Sequence, residues 1–183
     1  TINSNIDLDW IDIKGGLAKT KRVEKNGQVK SFPAWINSSK TDCTSEDYIL
    51  AEIKRQGAIT FWRENNPPLV ESMDFGGYLV THQVELVVWA NHKKLDKTQT
   101  DSDYLKKAIV YGIPTKATDS DGLRMAIEWT GYTENPLDIY DFNEAKTQYT
   151  TYPFECFGVT YDVTYYTNTR CSSTFTLDET ECF

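Results

Sequence analysis

The stretch YLVTHQVELVVWA, from Tyr78 to Ala90, decides the fold class because its hydrophobic and polar side chains largely alternate. One parity is mostly hydrophobic and includes His82, whereas the other holds most of the polar residues, Glu85 among them, together with Trp89. Successive side chains of a strand point to opposite faces of its sheet. This period of two therefore predicts a strand with one buried face and one solvated face.

Other stretches predict further strands. The apolar parity of Leu123–Gly131 ends at Trp129, and that of Phe157–Tyr165 is aromatic at three of its five positions. We predict that the last long strand runs from about Tyr152 to Thr167, and that Ala58–Arg63 is a shorter strand. The chain therefore predicts a sheet with several strands.

A hairpin is predicted near the start of the chain. The dipeptide Asn26-Gly27 separates Lys19–Lys25 from Gln28–Ile36, and Asn-Gly is the preferred pair for a two-residue type I′ turn. Pro33 cannot donate a hydrogen bond to a neighbouring strand, so we expect it at a sheet edge or a bulge.

Two short helices are predicted. The first spans residues 44–57, and its apolar stripe is formed by Ile49, Leu50 and Ile53. The second runs from an N-cap at Asp101 or Ser102 to about Tyr111. Together with the strands, these helices predict an α+β fold. We expect a mostly antiparallel β-sheet with an N-terminal β-hairpin and both helices packed on one face.

The length of the chain indicates one domain with appended ends. In its 183 residues, we expect residues 1–18 to form an extended arm, residues 19–167 a single α+β domain and residues 168–183 a tail or hairpin. Thr1 is compatible with removal of an initiator Met or of a longer leader, and we favour the first. No apolar run approaches the ~20 residues that span a bilayer, so we expect no membrane partner.

Charge and cysteine content narrow the function further. The net charge of −8 disfavours general binding to nucleic acid, because a negative chain repels phosphates. The spacing of the four cysteines matches no zinc site, and we favour reduced, packed thiols over disulfides. A disulfide between the last two, closing a C-terminal hairpin, stays open as an alternative. These cysteines are Cys43, Cys156, Cys171 and Cys182.

No pattern of residues predicts catalysis, a cofactor or a metal site. The pairs of aspartates at 101 and 103 and at 119 and 121 lack the other ligands of a calcium loop, so we interpret them as a helix cap and a turn. We expect His82 to be buried and hydrogen-bonded, and His92 to be exposed. Glu85 and Glu128 would face one cleft if their strands paired, as in glycosidases, but solvated sheet-face charges are favoured. The chain is therefore predicted not to be an enzyme.

Aromatic residues raise the alternative of a binding module. Trp62 and Trp89 are the two that we expect on the surface, where a large aromatic side chain indicates a protein interface or stacks on a sugar. The alternative function is a β-rich carbohydrate- or protein-binding module, a class that includes secreted proteins. The residues predicted to form an interface are Trp10, Asn26, Gly27, Trp62, Trp89, Lys93 and Lys94.

The order of these elements resembles a viral family. The segment Phe32–Ile36, with its "FPA", the long strand Gly77–Ala90, the helix Asp103–Tyr111 and the closing "FGVTYDVTYYT" are similar to tail-terminator and head–tail connector (neck ring) proteins of tailed bacteriophages. The similarity covers roughly residues 29–167. The chain departs from the family at its start, where the family usually opens with a helix, and in its cysteine-bounded tail.

The resemblance implies a structural virion protein that closes into a ring of identical subunits at the neck or tail. Its partners would be neighbouring copies and other neck or tail proteins, with DNA only passing through the ring. An acidic lumen would let DNA slide without binding. The resemblance also implies assembly in the host cytoplasm, with the basic hairpin reaching a neighbouring subunit as an added strand.

Overall fold

The computed structural model describes residues 8–25, 27–36, 48–50, 57–73, 77–95, 101–118, 123–140 and 151–168. These ranges hold ten strands and one helix. In chain order they are β1 (Ile13–Leu17), β2 (Lys19–Lys25), β3 (Gln28–Ile36), β4 (Tyr48–Leu50), β5 (Ala58–Glu64), β6 (Leu69–Met73), β7 (Gly77–Asn91), α1 (Ser102–Gly112), β8 (Lys116–Thr118), β9 (Arg124–Glu134) and β10 (Phe154–Asn168).

The strands form two sheets. The larger, seven-stranded sheet has the order β1-β5-β7-β10-β9-β8, with β6 as a further neighbour of β7. It is mixed because β1 runs parallel to β5, whereas its other described pairs are antiparallel. The smaller sheet has the order β2-β3-β4.

Strand β7 is the centre of the larger sheet. One of its edges pairs with β10 from Gly77 to Asn91. Its other edge is shared, because β5 pairs with Val84–Ala90 and β6 pairs with Gly77–Thr81. The second half of β7 is therefore surrounded by long neighbours, and the first half lies between β10 and the short strand β6.

Helix α1 packs on one face of the larger sheet. Leu105 and Ile109, its buried residues, belong to a hydrophobic cluster with the even-numbered side chains of β7, such as Leu86 and Val88. The predicted aromatic parity of β10 joins the same cluster, including Tyr161. This face has the alternating pattern that the sequence predicted.

The smaller sheet covers part of the opposite face. Phe32 and Trp35 from β3 cluster with the odd-numbered side chains of β5 and β7, and the ring of Trp35 stacks on Phe61 with centroids 6.1 Å apart. Val87 and Trp89 point into this second cluster. The second half of β7 is consequently buried on both faces, which the expectation of one solvated face did not anticipate.

The predicted fold class is wrong in its helices. The described chain is mostly β, with a curled mixed sheet and a single helix. Residues Tyr48–Leu50, which were to start the stripe of the first helix, form strand β4 beside β3. Pairing of this segment, which contains the aromatic Tyr48 and the β-branched Ile49, with a neighbouring strand outweighs a weak local helical pattern. Ile53 lies outside the described residues.

The hairpin prediction is confirmed. Strands β2 and β3 pair in antiparallel register up to Lys25 opposite Gln28, and Gly27 has the positive φ of 73° that its turn requires. β3 is the middle strand of its sheet, but its pairing with β4 begins at Ala34. Pro33 pairs with Thr20 of β2 and, among the described residues, has no partner in β4.

The first described residues are integrated into the sheet. β1 pairs with β5, and Trp10 and Ile11 are buried in the cluster beneath α1. Residues 8–18 thus contribute to the core, while residues 1–7 and 169–183, with the predicted C-terminal hairpin, lie outside the described ranges. Cys43, Cys171 and Cys182 also lie outside them, as does the predicted second aspartate pair.

The start of α1 gives a test of its predicted cap. The side chain of Asp101 accepts a hydrogen bond from the backbone N–H of Asp103 at 3.2 Å, which confirms the helix-cap interpretation. We expect Asp101→Ala to lower the free energy of unfolding by about 1 kcal/mol, because one backbone N–H of the first turn loses its acceptor. Urea denaturation measures this change, and Asp101→Asn, which keeps an acceptor, should retain most of the stability.

Candidate functional site

The first cluster of ionisable side chains joins α1 to β10. Nε2 of His92 lies 2.8 Å from Oε2 of Glu155, and Ser102 donates a hydrogen bond to the other oxygen of the same carboxylate. His92 is largely buried, so the prediction that it is exposed is wrong. Because the carboxylate lies between Ser102 and His92, the histidine is not placed to take the serine proton. The arrangement differs from a nucleophilic triad, in which serine contacts histidine.

The second cluster contains His82. Its Nε2 lies 3.2 Å from the hydroxyl of Tyr165, and the two rings stack with centroids 5.7 Å apart. Its Nδ1 lies 3.8 Å from Glu64. His82 is hydrogen-bonded, as predicted, but it is half-buried rather than buried.

The third cluster is an ion pair inside the protein. Arg63 on β5 contacts Glu85 on β7, directly opposite in the register of the two strands. The Glu85 side chain is fully buried, and Nη1 of Arg63 also donates a 2.7 Å hydrogen bond to the carbonyl of Pro136. The expectation that Glu85 is solvated is therefore wrong. Glu128 is exposed on β9 and separated from β7 by β10, so the two carboxylates share no cleft.

Close packing surrounds this pair. A Cβ atom at Gly158 of β10 would collide with the Glu85 carboxylate, so glycine is required there for the carboxylate to fit. The buried side chain of Tyr140 lies near both charges: burial raises its pKa to about 12, with a smaller lowering by Arg63 and a smaller raising by Glu85. Burial also raises the pKa of the Cys156 thiol well above its ordinary value. The Tyr140 hydroxyl and the Cys156 thiol therefore stay protonated near neutral pH, which fits a structural role for this cluster.

These raised pKa values predict alkaline destabilisation. Tyr140 stays protonated in the folded protein up to about pH 12, whereas it ionises near its ordinary pKa of 10.0 when unfolded. The unfolded state is therefore favoured as the pH rises above 10, and we expect a loss of about 1 kcal/mol from Tyr140 between pH 9 and pH 11. Denaturation at both pH values measures it. Tyr140→Phe should reduce the loss, and Tyr111→Phe, at an exposed position, should leave it unchanged.

An open strand edge is the most prominent surface feature. All five residues of β6 are exposed, and its three large apolar side chains, Leu69, Val70 and Met73, are 60%, 54% and 47% exposed. β6 pairs with β7 on one side and has no strand on its other side among the described residues. Such an edge presents free backbone donors and acceptors to a further strand.

A second open edge belongs to the basic hairpin. β2 is an outer strand of the smaller sheet, with no strand beyond it in the described ranges, and its sequence KTKRVEK contains four basic residues and one acidic residue. Arg22 is exposed, and Lys19 forms an exposed ion pair with Glu64 at 3.4 Å. The two open edges thus differ in character, since β6 is apolar with one acidic residue and β2 is basic.

A third surface feature is an aromatic pair on β9. A bulge in the pairing of β9 with β10 leaves Thr130 as an extra residue, so Trp129 and Tyr132 face the same side of the sheet. Their centroids are 5.3 Å apart at a tilt of 58°, and they are 47% and 44% exposed. The indole N–H of Trp129 donates to the carbonyl of Gly131, which fixes the ring.

The predicted interface residues fall in different places. Trp89 is 1% exposed and Trp62 is 8% exposed, so the expectation that they are surface aromatics is wrong. Trp10 is also buried, against the cluster beneath α1. Gly27, Lys93 and Lys94 are exposed, and Asn26 lies outside the described residues. An interface role for the exposed ones stays a prediction.

Sequence reasoning missed β6. Its five residues lie between Pro67-Pro68 and Gly76-Gly77, and only the breaks were recognised. The signal was present, because a short apolar run flanked by proline is typical of an edge strand protected from uncontrolled pairing. The aromatic pair was missed because a bulge changes the parity of a strand, and alternation alone does not reveal it.

The described residues form no cluster typical of a metal site and no helix long enough to span a membrane. Nowhere in the described part of the chain do three or more His, Cys, Asp or Glu side chains gather as metal ligands would. The helix in the described ranges has eleven residues, too few for the roughly 20 that span a bilayer.

Comparison with known proteins supplies no relative. No protein-family model matches the chain, and no curated protein and no solved structure is significantly similar to it. The resemblance to neck and tail proteins of bacteriophages therefore stays a prediction.

Proposed function

We propose that this chain is a non-enzymatic assembly subunit that joins copies of itself into a closed ring. The observation that carries the proposal is the edge of β6, whose five residues are exposed and whose outer side faces no strand within the described ranges. Adding a strand to such an edge is a common way to recruit a protein partner. Isolated apolar edges are otherwise an aggregation hazard, so a functional partner gives a reason for keeping one.

The charge on β6 argues against a two-fold dimer. If two copies of β6 paired antiparallel around Glu71, the two carboxylates would lie directly opposite, and like charges at that position are destabilising. Contact between two different surfaces is therefore favoured. Repeated contacts of that kind close into a ring when the rotation between copies allows it.

The viral part of the proposal comes from the sequence. We propose a head–tail connector or tail-terminator-like position in the virion of a tailed bacteriophage, with assembly in the host cytoplasm and neighbouring neck or tail proteins as further partners. The net charge of −8 is compatible with a channel through which DNA passes without binding.

Electron microscopy of the purified protein in negative stain tests the ring. Class averages should show closed particles with a central opening, and Glu134→Lys, a charge change on an exposed β9 position, should leave them intact. Open filaments or separate small particles at all protein concentrations would contradict a closed ring.

A second candidate function is a carbohydrate-binding module, favoured by the half-exposed pair of Trp129 and Tyr132. Aromatic faces fixed at a surface stack on the apolar faces of sugars. Binding to a glycan array that is lost in Trp129→Ala and kept in Tyr111→Ala would favour this candidate. An array without binding above background would remove it.

A further inference from the structure

The outer strands of the two described sheets are candidates for the partner of β6. These strands are β1, β2, β4, β6 and β8. β2 is the longest of them, with seven residues, and its four basic side chains make it the most positive. The single charge on β6 is Glu71. Complementary charge therefore distinguishes β2 from the other edges.

We propose that β6 of one copy pairs antiparallel with β2 of the next copy, so that Glu71 lies against Lys21 or, one register along, against Arg22, a contact that rests on the assembly function proposed above. Lys21 and Arg22 are consecutive, so they point to opposite faces of β2. In each of two neighbouring registers, one with Glu71 opposite Lys21 and one with Glu71 opposite Arg22, a basic side chain therefore lies on the same face as Glu71.

Both registers also bring apolar residues together. With Glu71 opposite Lys21, Leu69 lies opposite Val23; with Glu71 opposite Arg22, Val70 lies opposite Val23. Cross-strand pairs of this kind stabilise a sheet in addition to its backbone hydrogen bonds. The two strands lie in different sheets of one chain, so each copy offers both halves of the contact, one to each neighbour.

Exchanging the charges tests the pairing. We expect Glu71→Lys alone, and the double variant Lys21→Glu/Arg22→Glu alone, to shift the protein from oligomer to monomer in light scattering on a gel-filtration column. Each variant then has two edges of the same sign. When the two variants are mixed in equal amounts, each β6 can meet a β2 of opposite charge in an alternating assembly, and oligomers should re-form.

Controls separate this pairing from the assembly function itself. Glu134→Lys makes the same charge change as Glu71→Lys on an exposed residue of β9 and should stay oligomeric. Circular dichroism identifies any variant that is unfolded, and an unfolded variant would not be rescued by mixing.

If wild type assembles and the exchanged variants assemble equally well alone, the pairing of β6 with β2 is overturned while the assembly function stands. If the variants are monomeric and their mixture stays monomeric, the complementary pairing is overturned; if wild type itself is monomeric, the assembly function is overturned.

Discussion

Replacing Arg63 with Met should lower the free energy of unfolding by about 3–5 kcal/mol, because it leaves a buried carboxylate without its partner. Glu85 has no exposed side-chain surface, and its second oxygen, Oε1, has no hydrogen-bond partner among the described residues. Arg63 is the cation that contacts it. Chemical denaturation of both proteins at pH 7 measures the loss.

Removing both charges is the informative control. Arg63→Met/Glu85→Leu should recover most of the stability, since replacing a whole buried ion pair by apolar residues is often close to neutral. Lys19→Met breaks an exposed ion pair with Glu64 and should lower the free energy of unfolding by less than about 1 kcal/mol. A loss below about 1 kcal/mol in Arg63→Met would contradict the account of Glu85 as a charge that depends on its partner.

Truncating Trp89 should have an effect of similar size. Its side chain is fully buried between β5 and β10 and packs in the cluster with Phe61 and Trp35. We expect Trp89→Ala to lower the free energy of unfolding by about 3–5 kcal/mol, because it leaves a large cavity in a fully buried hydrophobic cluster. Thermal and urea denaturation both measure this change.

The same substitution at Trp129 is the matched control. Trp129 is 47% exposed on β9, and its removal leaves no closed cavity, so we expect a loss of less than about 1 kcal/mol. If both variants lost the same free energy of unfolding, burial would not distinguish these two tryptophans. That result would contradict the packing described for β7.

Six strands were predictable because each carries a local pattern or a turn signal, including β5, whose first five residues are all buried. β2, β3, β5, β7, β9 and β10 each carry a clear pattern or turn signal, and each was predicted within a few residues of its bounds. The second half of β7 was misinterpreted because it is covered on both faces, by α1 and by the smaller sheet. Alternation in one strand does not report what lies on its polar-looking side, so Glu85 and Trp89 were assigned to solvent.

The short strands β4 and β8 were not predicted from the sequence, for a different reason. β4 has three described residues and β8 has three, and pairing with a neighbour, rather than a local pattern, determines their conformation. The surface features depend on this long-range pairing. The run after Pro67-Pro68 was a local signal for β6, but the sequence does not show that β6 and β5 share one edge of β7.

The molar mass of the purified wild-type protein in solution tests the central claim most directly. Light scattering is measured over a concentration series, with and without reductant. Under both conditions the mass should be several times 21.0 kDa. A fixed multiple at high concentration would indicate the closed ring. A mass that stays at 21.0 kDa at every concentration would contradict assembly through the edge of β6.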